Sequence, residues 1–198
     1  MTQSCEELHQ WANALPKHSF PFKESEIPQN GIYMLFQTGE KAHVSDRIVR
    51  IGTHTGEGQL RSRLKEHFLV PNKDRSIFRK NIGRAILNKS NDPFFAVWER
   101  DMTTKVARKA PFTNGETVYQ AGLEEKVSDF IRSNFWFVVQ SVETKEARLR
   151  RETELISSVS LCSACGASEG WLGSFSPKEK IRRSGLWQEM GVFKTRVQ

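Results

Sequence analysis

An arginine and a histidine lie on the edge of an apolar helix face in the segment after a predicted β-hairpin. At about 100° per residue, Leu60, Leu64 and Phe68 form the apolar face, and Arg63 and His67 stack beside it. A half-buried guanidinium next to an imidazole needs an acidic partner or an anion. The pattern therefore indicates either an anion-binding site or ordinary placement on a solvated helix face.

A carboxylate interrupts the apolar stripe of a longer helix, predicted over residues 143–160. Glu152 falls in the middle of that stripe, whereas Glu154 faces the polar side. A carboxylate in such a position is unfavourable unless it is paired, protonated or bound to a cation. A salt bridge to Arg148 is one interpretation, and the helical wheel alone favours it. Magnesium is the other, because it combines one carboxylate with waters and a substrate phosphate.

The elements that must position these residues alternate between strands and helices. The expected strands cover residues 32–36, 47–51, 94–99 and 135–142, and the first two form an antiparallel hairpin. The expected helices cover residues 4–15, 60–69, 77–86, 123–131 and 143–160. Residues 101–115 read as a polar insertion, and the C-terminal segment reads as irregular. The pattern predicts an α/β (α+β) fold, with a small mixed or antiparallel sheet flanked by helices. An N-terminal helix and loop over 1–30 would precede the main domain over 31–198.

Composition restricts the class of protein. The chain has 198 residues, is 37% hydrophobic and carries a net charge of +7. The composition is typical of a soluble globular protein, and the charge is compatible with a polyanionic partner but also occurs in basic proteins that bind none. Its longest apolar runs are far shorter than the ~18 residues of a membrane span. Glu6 and Glu7 stand where a signal peptide would be apolar, so we expect a cytoplasmic protein without a membrane partner.

Three cysteines leave no complete disulfide framework. Cys162 and Cys165 form a C-x-x-C, but a structural zinc site needs two further ligands, and Cys5 and the histidines are distant in the sequence. The sequence therefore favours reduced thiols in a loop.

Short motifs on these elements resemble the GIY-YIG nuclease family. The matching segments are Gly31-Ile32-Tyr33, Arg50-Ile51-Gly52, residues 59–67 and Glu152-Thr153-Glu154-Leu155-Ile156. They follow one another on a strand, a strand, a helix and a distant helix, which is the order of that family. The longer sequence segments around these motifs are similar to a bacterial branch of the family. They extend the resemblance over most of the chain from Gly31 onward.

The resemblance implies hydrolysis of phosphodiester bonds with a divalent metal, Mg²⁺ or Mn²⁺. By this resemblance Tyr33 would orient or deprotonate the attacking water, and Arg63 would stabilise charge on the scissile phosphate. His67 would take part in proton transfer. Glu152 would be the metal ligand. Such a reaction depends on charge stabilisation, a metal and a positioned water.

Two positions depart from the family pattern. Arg50 replaces the tyrosine of the second motif, and the asparagine expected downstream of Glu152 is missing, with Gln188 as a possible substitute. Strict strand alternation places Arg50 on one face with Ile48 and Gly52. There it would either hold a phosphate bidentately or pair with an acid, for which Glu57 and Asp46 are the candidates.

The leading hypothesis from the sequence is a metal-dependent endonuclease that acts on DNA. The basic residues expected to follow the phosphates are Arg61, Lys65, Arg79, Lys80 and Arg84. A catalytically silent nucleic-acid-binding module on the same fold is the alternative, and an RNA-acting nuclease also stays open.

Overall fold

The computed structural model describes residues 4–105 and 109–194, so part of the predicted insertion, residues 106–108, lies outside the described residues. Four strands form one antiparallel sheet in the order β1-β4-β2-β3. The strands are β1 (His18–Ser19), β2 (Gly31–Ala42), β3 (Ser45–Gly52) and β4 (Phe135–Ser141). The sheet is flanked by helices, so the predicted fold class is confirmed.

Seven α-helices occur within the described part of the chain. They are α1 (Cys5–Ala14), α2 (Leu60–Phe68), α3 (Ile77–Lys89), α4 (Phe95–Trp98), α5 (Asn114–Asn134), α6 (Lys145–Ser160) and α7 (Glu179–Ser184). Three short 3₁₀ turns cover Glu24–Glu26, Ser163–Cys165 and Leu172–Phe175. In residues 4–105 and 109–194, no helix is both long and apolar enough to cross a membrane.

The sheet separates two apolar cores. Tyr33, Leu35 and Val49 face the core formed with α2, α3 and α5. Ile32 and Met34, which alternate with them on β2, face the core formed with α1 and α6. The strand β1 pairs with β4, and α1 packs on β3, so the N-terminal segment contributes to the same sheet and core. Helix α6 therefore approaches the sheet from the side opposite to α2.

A β-bulge on β3 corrects the predicted alternation. Leu35 pairs with Arg50, but the next residue of β2, Phe36, pairs with Ile48, which leaves Val49 as the extra residue. Both residues of a bulge project to roughly the same side. Arg50 therefore shares the face of Val49, whereas Ile48 lies in the opposite core. The prediction that Arg50 faces the same side as Ile48 was wrong.

The predicted strand over residues 94–99 is helix α4, which is a second correction. Asp92 forms a turn directly before this helix, in which its Oδ1 accepts a hydrogen bond from the Phe94 amide (2.9 Å). Trp98 at the helix end is fully buried and donates through Nε1 to the Lys80 carbonyl (3.0 Å). A five-residue apolar run has no periodicity that distinguishes a strand from a buried helical turn.

Helix α5 begins earlier than predicted. Thr113 and Glu116 form a capping box, in which each side chain accepts the backbone N–H of the other residue. The helix consequently includes the end of the segment that was read as a polar insertion.

Candidate active site

The hydroxyl of Tyr33 lies at the centre of a buried polar chain. Tyr33 Oη is 2.7 Å from His67 Nε2, and His67 Nδ1 is 2.8 Å from Ser76 Oγ. Ser76 is also the N-cap of α3, where its hydroxyl accepts from the Arg79 amide. Strand β2, helix α2 and the start of α3 are thus joined at one point. Tyr33 and His67 have no exposed surface.

His67 remains neutral in this environment. Burial lowers the pKa of His67 well below its ordinary value, and the positive charges of Arg63, Arg50 and Arg79 lower it further. A neutral imidazole offers one N–H and one lone pair, so the chain from Tyr33 to Ser76 can run in either direction.

Arg63 interacts with the hydroxyl of Tyr33 and is partly exposed at the surface. Its Nη1 donates to Glu66 Oε2 (2.9 Å) and to the Arg75 carbonyl (3.0 Å). Burial lowers the pKa of Arg63, but contacts with the Tyr33 hydroxyl and the Glu66 carboxylate outweigh this and leave the pKa raised. The structure therefore brings Arg63 into contact with Tyr33, which in turn contacts His67.

Glu152 lies beside this group, at the end of strand β3. Its Oε1 accepts a hydrogen bond from the Thr53 amide (3.0 Å). Burial raises the pKa of the Glu152 carboxyl, and Arg50, the Thr53 amide and Arg63 reduce that rise. The alternative of a salt bridge to Arg148 does not hold, because Arg148 donates instead to two backbone carbonyls that precede α6.

Arg50 projects from the bulge towards the same region. Its Nη1 donates to the Trp187 carbonyl (2.6 Å), and its guanidinium lies 5.4 Å from the centre of the Phe78 ring. Neither predicted acid pairs with it, since Asp46 binds two lysines and Glu57 accepts from Asn30. Arg50 Nε is buried without a hydrogen-bond partner in the described residues.

Two open clefts flank these groups. A cleft of about 430 Å³ is lined by Arg50, Glu152 and residues of the C-terminal segment. A second cleft of about 280 Å³ is lined by Thr53, Arg63 and other residues of the β3–α2 connection and α2. Since the Thr53 amide binds Glu152, the two clefts meet at the end of β3. The carboxylate of Glu152 is close enough to the guanidinium groups of Arg50 and Arg63 for both charges to lower its pKa.

The larger cleft contains two amides that bear on the missing asparagine. Gln188 lines it, but its Oε1 accepts from the Ile51 amide (2.9 Å) and its Nε2 donates to the Met190 carbonyl (3.3 Å). Asn81 of α3 also lines it and is fully buried, with an Nδ2 that has no partner among the described residues. The sequence did not point to Asn81, because the family pattern places the supporting asparagine after the glutamate, whereas Asn81 precedes Glu152.

His54 and Tyr119, two other side chains that could in principle accept a proton, are both engaged in hydrogen bonds elsewhere. His54 Nε2 accepts from the Gly31 amide (3.3 Å), and its Nδ1 lies 2.6 Å from the Gly56 carbonyl. Tyr119 hydrogen-bonds Asp92 and stacks on Phe94, outside both clefts.

Three of the five bases expected to follow phosphates lie in buried contacts instead. Arg79 donates to Glu124 (2.8 Å) and Arg84 to Glu99 (2.5 Å), whereas Lys80 donates to the Glu99 carbonyl (3.1 Å). The acids that pair with them lie outside α3, on α5 and after α4, so a wheel of α3 alone could not reveal them. We therefore no longer assign these three residues to DNA.

The other two bases are half-exposed on α2. Arg61 donates to the Ile27 carbonyl (2.7 Å), and Lys65 pairs with Glu24 (2.8 Å). They remain the candidates for phosphate contacts, together with Arg63 on the same helix.

Gly52, the last residue of β3, is paired with Tyr33 in the sheet and lies against the hydroxyl of that tyrosine. A Cβ atom at Gly52 would lie 2.3 Å from Tyr33 Oη. We expect Gly52→Ala to displace this hydroxyl and to lower the free energy of unfolding by about 1–3 kcal/mol. Urea unfolding measures this. The control is Gly122→Ala on α5, where nothing lies within 4 Å and a gain of up to about 1 kcal/mol is expected. Equal stabilities of the two variants would contradict the close contact.

Comparison with known proteins identifies the family of this chain. The family described as GIY-YIG domain matches residues 8–196, and the chain therefore belongs to that family. Members of this nuclease-type family are typically endonucleases that act on nucleic acid and commonly use divalent metals. No curated protein and no solved structure matches this chain.

Proposed function

We propose that this chain is an endonuclease that hydrolyses phosphodiester bonds in DNA with Mg²⁺ or Mn²⁺, in the cytoplasm. The observation that carries the proposal is the position of Glu152. It is a largely buried carboxylate that lines one cleft with Arg50, and the charge of Arg63 also reaches it. A carboxylate for a cation and two guanidinium groups for a phosphate are the parts that phosphoryl transfer needs.

The residues present fit a divalent cation. Glu152 is a hard oxygen ligand, and burial makes its negative charge unfavourable until a cation compensates it. Magnesium is commonly held by one or two carboxylates, with waters and substrate phosphate as its other ligands. When bound, such an ion neutralises charge that develops on the phosphate and lowers the pKa of water.

Arg63 would bind the scissile phosphate and thereby free the hydroxyl of Tyr33. In the absence of substrate, Arg63 is held by Glu66 and by a backbone carbonyl. A phosphate is a bidentate partner that competes with this carboxylate. Because Arg63 interacts with the Tyr33 hydroxyl, its movement towards phosphate would free that hydroxyl for contact with water.

Tyr33 would orient the attacking water, and His67 would position Tyr33. His67 is fully buried and neutral, so it holds the hydroxyl by a hydrogen bond and does not itself touch substrate. This assigns His67 a positioning role within the Tyr33–His67–Ser76 chain. Asn81 lines the cleft, and its buried Nδ2 has no partner among the described residues, so it is suited to donate a hydrogen bond to a phosphate oxygen.

One observation favours the alternative of a silent binding module. Tyr33 and His67 have no exposed surface, and Arg50, which stays protonated, replaces the second tyrosine. On that alternative the clefts bind nucleic acid without cleaving it.

Incubation of supercoiled plasmid with the purified chain tests the proposal. We expect nicking and linearisation with Mg²⁺ or Mn²⁺, and none with a chelator. Labelled DNA and RNA duplexes of the same sequence, assayed side by side, distinguish DNA from RNA. Retardation of the DNA without cleavage in either metal would overturn the endonuclease and leave the silent module.

A further inference from the structure

Three thiols and two imidazoles meet beside the tip of the β2–β3 hairpin. They belong to Cys5, His9, His43, Cys162 and Cys165. Ligand atoms of four of them, without Cys162, all lie within 4.8 Å of one another. The sequence favoured reduced thiols in a loop, because these residues are as much as 160 positions apart in the chain. The fold supplies the partners that the C-x-x-C lacked.

The separations within the cluster match those of ligands around one tetrahedral ion. The Sγ atoms of Cys5 and Cys165 are 3.4 Å apart, and His43 Nε2 is 3.4 Å from the Sγ of both Cys162 and Cys165. Around tetrahedral zinc, two sulfurs lie about 3.8 Å apart, and a sulfur and a nitrogen about 3.6 Å. The observed values agree within a few tenths of an ångström.

Disulfide bonding does not explain the cluster. All three cysteines are free, and a disulfide requires an S–S distance of about 2.0 Å. The Cys5 thiol contacts both Cys165 and Cys162, so three thiols share one small volume. Three converging thiols beside an imidazole nitrogen are a typical structural zinc set.

The backbone around His43 is an independent observation. His43 and Val44 form the two-residue turn between Ala42 and Ser45, and both have positive φ, 50° and 59°. Such turns favour Asn and Gly, and a β-branched valine in this region is strained. Strain of this kind persists where the surrounding structure holds it. A bond from the His43 ring to an ion would be such a restraint.

His9 is suited to support the cluster and not to bind the ion. Its Nδ1 is 2.9 Å from the Cys5 carbonyl, and its Nε2 accepts from the Ile48 amide (3.2 Å). Both ring nitrogens are therefore used, and the fourth ligand must come from Cys162.

We propose that Cys5, His43, Cys162 and Cys165 bind one Zn²⁺ ion as a structural site, with His9 holding the backbone of Cys5. Zinc binds thiolates, so binding releases the thiol protons to solvent. With four protein ligands the ion keeps no open position, which is typical of a structural and not a catalytic zinc.

The zinc site is separate from the candidate active site. The eight residues that follow Glu152 up to Ser160, where α6 ends, correspond to about 12 Å of helix, and Cys162 lies beyond that end. The ion would join the first residue of α1, the hairpin tip and the segment after α6, which all border the same core. Its expected contribution is therefore to stability, and its test does not depend on nuclease activity.

Metal analysis of the full chain, purified with a reducing agent, tests the proposal directly. We expect one zinc per chain by elemental analysis. Replacement by Co²⁺ should give the visible absorption of a tetrahedral ion and the near-ultraviolet band of cobalt thiolate. Addition of a zinc-selective chelator in the presence of Mg²⁺ should lower the melting temperature. A wild-type protein without zinc, without the cobalt spectrum and without a chelator response would overturn the site.

Substitutions at the turn provide a matched pair. His43→Asn removes the ligand but tolerates positive φ, and should lose zinc and the chelator response. Val44→Asn changes the neighbouring residue, whose side chain is exposed, and should retain both the zinc and the chelator response. Cys162→Ser should weaken the cobalt thiolate band. An unchanged band would overturn the assignment of Cys162, and zinc retention in His43→Asn would overturn that of His43. The wild-type measurements decide the site even if a variant does not fold.

Discussion

Glu152→Gln is expected to abolish plasmid cleavage and to leave the metal-free protein as stable as the wild type or more stable. Glutamine keeps the volume and the acceptor oxygen that binds the Thr53 amide. It lacks the charge that holds a divalent ion. The burial that raises the pKa of the Glu152 carboxyl shows that this charge is unfavourable in the protein without metal. Its removal should therefore not lower the melting temperature in the presence of chelator.

The pH dependence of this stability difference has a defined sign. Because the pKa of Glu152 is raised above its ordinary value of 4.5, the folded chain binds this proton more tightly than the unfolded chain. The wild type therefore loses stability as the pH rises through the range between the unfolded and the folded pKa. The advantage of Glu152→Gln should be largest above that range and should disappear below it.

Glu154→Gln is the matched control. It makes the same change on the same helix, but Glu154 is 38% exposed and lies 3.8 Å from Arg151. We expect normal cleavage and, as for other exposed pairs, a stability within about 1 kcal/mol of the wild type. Cleavage by Glu152→Gln at the level of this control would rule out Glu152 as the metal ligand. A loss of several kcal/mol would show a buried ion pair instead.

The sequence predicted those parts of the site that lie on regular elements. Arg63 and His67 follow the period of α2, and Glu152 interrupts the apolar stripe of α6. Each helical wheel identified a polar group next to a buried face. Whether these groups meet depends on how the helices pack on the sheet. A helical wheel describes one helix alone and gives no information on this packing.

The incorrect predictions arose where local regularity fails. The bulge at Val49 places Ile48 on the face opposite to Arg50, and no residue type marks it in the sequence. The buried pairing of Arg79 with Glu124 joins two helices 45 residues apart in the chain. The cluster around Cys165 likewise depends on contacts between the two ends of the chain.

Arg50→Ala is expected to lower cleavage about a hundredfold, the order found when one charge-stabilising donor is removed. It should also weaken DNA binding in a salt-dependent way. Each phosphate contact contributes about 0.9 to the slope of log K against log salt, so the slope should become shallower by about that amount. Fluorescence anisotropy of a short duplex in chelator measures binding without cleavage.

Two further variants distinguish a phosphate contact from a general effect of charge. Arg50→Lys keeps the charge but loses the fork of donors, and should keep the slope while cleavage falls. Lys41→Ala removes an equally positive residue that is 67% exposed at the other end of the hairpin. This variant should change neither the salt slope nor the rate of cleavage.

The register of β3 explains why Arg50 can serve where the family has a tyrosine. Arg50 is opposite Leu35 and shares a face with Gly52, which is opposite Tyr33, so the guanidinium lies on the face of Tyr33. There one Nη donates to the Trp187 carbonyl, and the group lines the cleft beside Glu152. A guanidinium there can bind phosphate but cannot accept a proton, so the proton of the attacking water would pass to solvent, aided by a metal that lowers the pKa of that water. Arg50→Tyr should therefore retain cleavage with weaker DNA binding. Parallel salt plots for the wild type and Arg50→Ala would show that Arg50 never contacts a phosphate.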